Sequence, residues 1–99
     1  MNLDVLKSSD FQGIVGKNLP VRFEPNVILE AQVLQVKEFN NYSPIERKPF
    51  SIELRTSQKE AYYTQGIYTI NHPEKGDLDI FLVPVGFDTK GMKYEAVFS

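Results

Sequence analysis

The sequence predicts an all-β domain, a compact antiparallel barrel or sandwich of about six strands behind a short N-terminal helix. Three observations carry this. The apolar period changes to two after Gly16, which is the signature of half-buried strands. Turn residues punctuate the chain at short intervals, from Pro25-Asn26 to Gly86–Gly91. Within the longest alternating segment the apolar phase slips by one residue near Val33-Leu34, as a strongly bent strand requires.

Residues 8 to 16 read as one or two helical turns. Ser8, Ser9 or Asp10 can supply the N-cap, Phe11 and Ile14 share a face, and Gly16 can end the turn. Gly13 weakens the helix and keeps it short. The first strand alternates Leu19, Val21 and Phe23 with polar or Pro positions and stops at Pro25-Asn26, a tight turn that sets the next strand antiparallel. From Val27 to Phe39 the apolar residues occupy odd positions up to Val33, then even ones at Leu34 and Val36. A β-bulge restores one buried face and bends the strand, as a small closed barrel demands.

Asn40 to Lys48 is a loop by composition. In the third strand Phe50, Ile52 and Leu54 point inward while Ser51, Glu53 and Arg55 point outward. Thr56 to Ala61 is polar and predicts a turn or short helix. A fourth strand runs from about Gln65 to Asn71 and ends in the turn His72–Gly76. The fifth, Leu78 to Val85, is apolar on both faces in its second half, which predicts a central strand or one covered by the N-terminal helix. Pro84 belongs at a bulge or strand end. Asp88 is placed to bond the amides ahead of it and Gly91 to take positive φ before the last strand, Met92 to Phe98. No repeat or linker divides the 99 residues, which form one domain over 1–99.

Composition excludes several functions. The chain has no cysteine, so it makes no disulfide, thiolate nucleophile or Cys-ligated metal site. Neither a signal-peptide apolar region nor a membrane-spanning run occurs, and the expected location is cytoplasmic. Net charge is −2, and Arg47-Lys48 is the only adjacent basic pair, which disfavours nucleic acid as a partner.

Across its second half the chain carries Pro49-Phe-Ser-Ile-Glu-Leu-Arg55, Gln65-Gly-Ile-Tyr68, His72-Pro73, Gly76, Phe81-Leu-Val-Pro-Val-Gly86, Asp88, Gly91 and Tyr94-Glu-Ala-Val-Phe98. This pattern resembles that of a family of uncharacterised bacterial domains of about this whole length. The first half is similar more loosely, through Phe11 to Gly16 and the alternating second strand. Ser99 stands where the family's C-termini usually carry Asn. The resemblance implies a β-rich fold over the entire chain and brings no established activity. The setting of such genes implies an accessory or structural part of a phage-tail-like assembly.

Candidate chemistry is sparse. His72, the only histidine, reads as a surface turn residue, not a base or metal ligand. Asp77 and Asp79 share a strand face with Glu74 nearby, but the calcium-loop spacing is missing and solvation or edge protection accounts for them. Glu53 and Arg55 read as an exposed charge pair. No nucleophile triad, phosphate loop or dinucleotide fingerprint is present, so the expectation is no enzyme, with no catalytic residue, cofactor or metal. Tyr68 and Tyr94 read as core residues whose hydroxyls reach the rim. Tyr42, Tyr62 and Tyr63 are the candidate interface, since tyrosine is enriched where proteins meet. The reading is therefore a non-catalytic protein-interaction or structural module with a protein partner. A barrel that binds a small ligand or nucleic acid is the alternative, and a carboxylate-only enzyme stands third.

Overall fold

The computed structural model describes residues 6–39 and 48–98. One helical turn, α1 (Ser9–Gln12), precedes six strands: β1 (Asn18–Glu24), β2 (Val27–Glu38), β3 (Phe50–Thr56), β4 (Gly66–His72), β5 (Gly76–Phe87) and β6 (Met92–Phe98). They close into an antiparallel barrel in the order β1-β2-β3-β6-β5-β4. Barrel, not sandwich, is the outcome. The loop expected at Asn40 to Lys48 lies almost wholly outside the described residues.

The phase slip in β2 has the predicted cause. Val33 pairs with Leu54 and Gln35 with Glu53, which leaves Leu34 as the extra residue of a bulge. Ala31 and Val33 are buried before it, and Val36 packs against the core after it. A second irregularity lies between Pro84 and Gly86, where the missing Pro84 N–H interrupts the ladder least. Alternation fills the interior: Val21, Ile52, Leu54, Ile70, Leu82, Tyr94 and Ala96 are all buried. Closure rests on the shortest described ladder, β1 with β4, which has two registered pairs, Val21↔Ile70 and Arg22↔Thr69.

One barrel end is plugged by the N-terminal segment. Phe11 is fully buried, with its ring 6.1 Å from Phe50, 5.9 Å from Phe98 and edge-on to His72 at 5.3 Å. Ser8 occupies the N-cap position without a side-chain cap bond. Its hydroxyl donates to Glu38 instead, while the Asp10 carboxylate accepts the Lys7 N–H. Gly16, at φ +91°, turns the chain out of the plug and donates its N–H to the Val33 carbonyl.

His72 corrects the surface reading. Only 2% of it is exposed. Its Nδ1 accepts the N–H groups of Glu74 and Lys75, each at 3.1 Å, so Nε2 carries the proton and donates to the Asp10 carbonyl at 2.7 Å. Asp10 also faces the Lys75 ammonium at 3.7 Å. His72 thus ties the plug to the β4–β5 turn. The alternation of Tyr68, Ile70 and His72 along β4 is what sends it inward, despite the turn-forming Pro73 that follows.

The other end is crossed by residues 57–65. β3 and β4 are not neighbours in the barrel, so their connection has to pass over its mouth. It does so without a helix. Gln58 Oε1 accepts from the Thr56 and Tyr94 hydroxyls, and Tyr94 Oη accepts the Tyr63 N–H at 3.0 Å. Tyr63 stacks on Phe23 with ring centroids 4.6 Å apart. As expected, the Tyr68 and Tyr94 hydroxyls end at this rim, Tyr68 donating to the Thr64 carbonyl.

A candidate interaction surface on the outside of the barrel

The three sequence candidates fall in different places. Tyr42 lies outside the described residues. Tyr62 is 54% exposed, and its ring stands edge-on to the exposed Phe87 at 6.1 Å. Tyr63, its neighbour, turns inward onto Phe23, and its hydroxyl donates to Glu24 at 2.7 Å. The hydrogen bond to Glu24 raises the pKa of that hydroxyl first, and burial raises it further. Tyr63 therefore fastens the crossing segment, while Tyr62 faces solvent.

β5 supplies what the sequence reading missed. Its even residues Leu78, Ile80 and Leu82 point into the barrel, but Phe81, Val85 and Phe87 remain exposed. Nothing covers them among the described residues, because the N-terminal helix plugs the end of the barrel and leaves its side bare. Phe81, 49% exposed, pairs directly across the ladder with Ile67 of β4, which is 70% exposed. The signal was available in phase: Ile67 and Phe81 occupy the strand positions opposite to those of the buried set.

Polar residues continue this face in registered rows. Ile28, Arg22, Thr69 and Asp79 lie across β2, β1, β4 and β5, and Asn71 pairs with Asp77 beside them. Thr69 donates to Asp79 at 2.8 Å and Asn71 to Asp77 at 2.9 Å. Either side of the short β1–β4 ladder the strands diverge and leave two hollows that share Arg22 and Thr69. One adds Ile28 and Asp77, the other Glu24 and Ile67.

Arg55 and Asp88 form structural bonds. Arg55 does not pair with Glu53, which sits opposite Glu95. Its guanidinium bridges Asp88 and Gln32, each at 2.9 Å. Asp88 also accepts the Lys90 and Gly91 N–H groups at 2.8 and 2.9 Å, as its loop position predicts. These bonds, that from Lys90 foremost, hold its pKa at about 2 against an ordinary 3.8, with partial burial opposing them. Because the folded value is the lower one, the stabilisation is whole above the ordinary value and is lost as pH falls toward about 2. The advantage of the wild type over Asp88→Asn in thermal melts should hold at neutral pH and vanish across that acid window. An advantage undiminished at pH 2 would contradict the assignment. No group of three His, Cys, Asp or Glu among the described residues converges as a metal site would need.

Residues 6–98 match the family described as Domain of unknown function (DUF6916). The chain belongs to the DUF6916 family. The DUF6916 span begins at Leu6, buried in the plug, and ends at Phe98, the last residue of β6, so it covers plug and barrel together. No curated protein and no solved structure matches the chain. No helix among the described residues of this DUF6916 member is long and apolar enough to cross a membrane.

Proposed function

We propose that this DUF6916 barrel is a non-catalytic interaction module of the cytoplasm, which captures a protein partner on the outer face of β4 and β5. The observation that carries the reading is the directly paired, solvent-open Ile67 and Phe81. Large apolar side chains of this kind become binding anchors once a partner buries them. Tyr62 and Phe87 extend the apolar surface at the rim. The resemblance noted in the sequence adds the finer proposal, an accessory part of a phage-tail-like assembly. A ligand-binding barrel is less well supported, since side chains from all six strands fill the interior.

The test is a set of surface variants: Phe81→Ser, Ile67→Ser and Tyr62→Ser. Exposed substitutions change stability by about 0.5 kcal/mol or less, so each variant should melt within about 4 °C of the wild type. Co-purification with proteins encoded beside this gene should nonetheless fall sharply for Phe81→Ser. Melting points lowered by tens of degrees would make these side chains structural. Undiminished co-purification would remove the face from recognition.

A further inference from the structure

The charge of the chain is unevenly distributed around the barrel, and this points to the chemistry of the partner. On the side formed by β1, β4 and the first halves of β2 and β5, the outward charged residues are Glu24, Glu30, Asp77, Asp79 and Arg22. Four are acids and one is a base. The opposite side mixes signs, with Lys37, Glu53, Arg55, Lys93 and Glu95. A net charge of −2 for the whole chain conceals this asymmetry.

Among the described residues, Arg22 offsets the acidic side only in part. The two ion pairs found there are Arg55–Asp88 and Lys75–Asp10, and neither includes one of these four carboxylates. Glu24, Asp77 and Asp79 accept hydrogen bonds only from the neutral groups of Tyr63, Asn71 and Thr69. Those bonds orient the carboxylates without cancelling their charge. Asp77 and Glu24 each line one of the two hollows flanking Arg22, while Asp79 lies two residues from the exposed Phe81 on β5 and Glu30 two residues from the exposed Ile28 on β2.

We infer that the occupant of this face is a basic, apolar protein segment, whose apolar side chains rest on Ile28, Ile67 and Phe81 while its Lys or Arg residues face the four carboxylates. The inference rests on the interaction reading above and deepens it. Charge decides among the possible occupants. A second copy docked by two-fold symmetry would set this face against itself, acid on acid. A nucleic acid or an anionic bilayer would meet the same repulsion. A cationic segment gains both steering and burial.

The experiment uses the whole chain, isotopically labelled, with three synthetic peptides of alternating Val and Lys, Val and Glu, or Ser and Lys. The Val/Lys peptide should shift the amide resonances of residues 22, 28, 67–71 and 77–81. Its affinity should fall about tenfold as salt screens the carboxylates, and by a similar factor in Phe81→Ser or in the double variant Asp77→Asn, Asp79→Asn. Glu53→Gln, on the mixed side, should bind like the wild type. Dispersed spectra from each variant show that the fold is kept. Equal binding of Val/Glu or Ser/Lys, or self-association that shifts the same resonances, would overturn the inference. So would the absence of Val/Lys binding at this face. In each of those cases the co-purification of Phe81→Ser still decides the broader reading.

Discussion

Removal of Met92–Ser99 is expected to leave a chain that aggregates or stays unfolded. β6 lies between β3 and β5, so its loss opens two facing edges in a barrel that otherwise has none. It also removes Met92, Tyr94, Ala96 and Phe98 from the core. Burial of Met92 and Phe98 alone is worth about 1.5–3 kcal/mol each, against a total stability of about 5–15 kcal/mol for a domain. Phe98 further stacks on Phe50 at 4.6 Å and on Phe11, so the plug loses its seat as well. Tyr94 takes with it the hydroxyl that holds Gln58 and Tyr63 over the far end. Circular dichroism of the truncated chain should show no cooperative melt. A soluble truncation with a sharp transition would mean that β6 is dispensable and that the barrel is not the cooperative unit.

Gly91→Ala is expected to be the most damaging single-residue change in the β5–β6 loop. A Cβ at this position would stand 1.7 Å from the Thr56 carbonyl oxygen and 2.8 Å from its carbon, both backbone atoms at the end of β3. Backbone cannot swing aside as a side chain can. Either the loop lifts away, and with it the Gly91 N–H bond to Asp88 and the Asp88 N–H bond to the Gly91 carbonyl, or β3 shifts against β6. Overpacking typically costs about 1–3 kcal/mol, and the lost loop bonds add to that. A total near 3 kcal/mol lowers the melting point of a chain this size by about 12 °C or more. A loss under about 4 °C would contradict the close approach.

Gly91 also illustrates how far local sequence reaches. Its loop position predicts a glycine there for positive φ. The residues that adopt positive φ are Gly16, Gly76 and Gly86, and Gly91 is required by contact with a strand 35 residues earlier. Strand periods, the β2 bulge at Leu34, the Pro84 irregularity and the Asp88 turn were all legible, because each is written in residues adjacent along the chain. Closure of the barrel was not. It depends on two residue pairs between β1 and β4, almost 50 positions apart, for which no local signal exists. The same limit hid the partner of Arg55, Asp88, 33 residues away.

The surface was half legible. Tyr62 and Tyr63 were visible as a pair of which at least one faces solvent, since neighbouring residues of an extended chain point opposite ways. Which of the two does so is set by the stacking of Tyr63 on Phe23. Ile67 and Phe81 carried a signal in strand phase, opposite to the buried set, but an apolar residue on each face of β5 reads equally as two-sided burial or as one buried and one working face. Only the position of α1, at the barrel's end and not along β5, separates those readings.

Site-directed photo-crosslinking in the producing cells tests the central claim most directly. A photoreactive side chain replaces Phe81 on the outer face in one protein and Glu53, on the mixed-charge side between β2 and β6, in another. Both positions are on the barrel's exterior, so both proteins should fold. The account predicts a discrete adduct from position 81 and none from position 53. An adduct at 53 with none at 81 would contradict it.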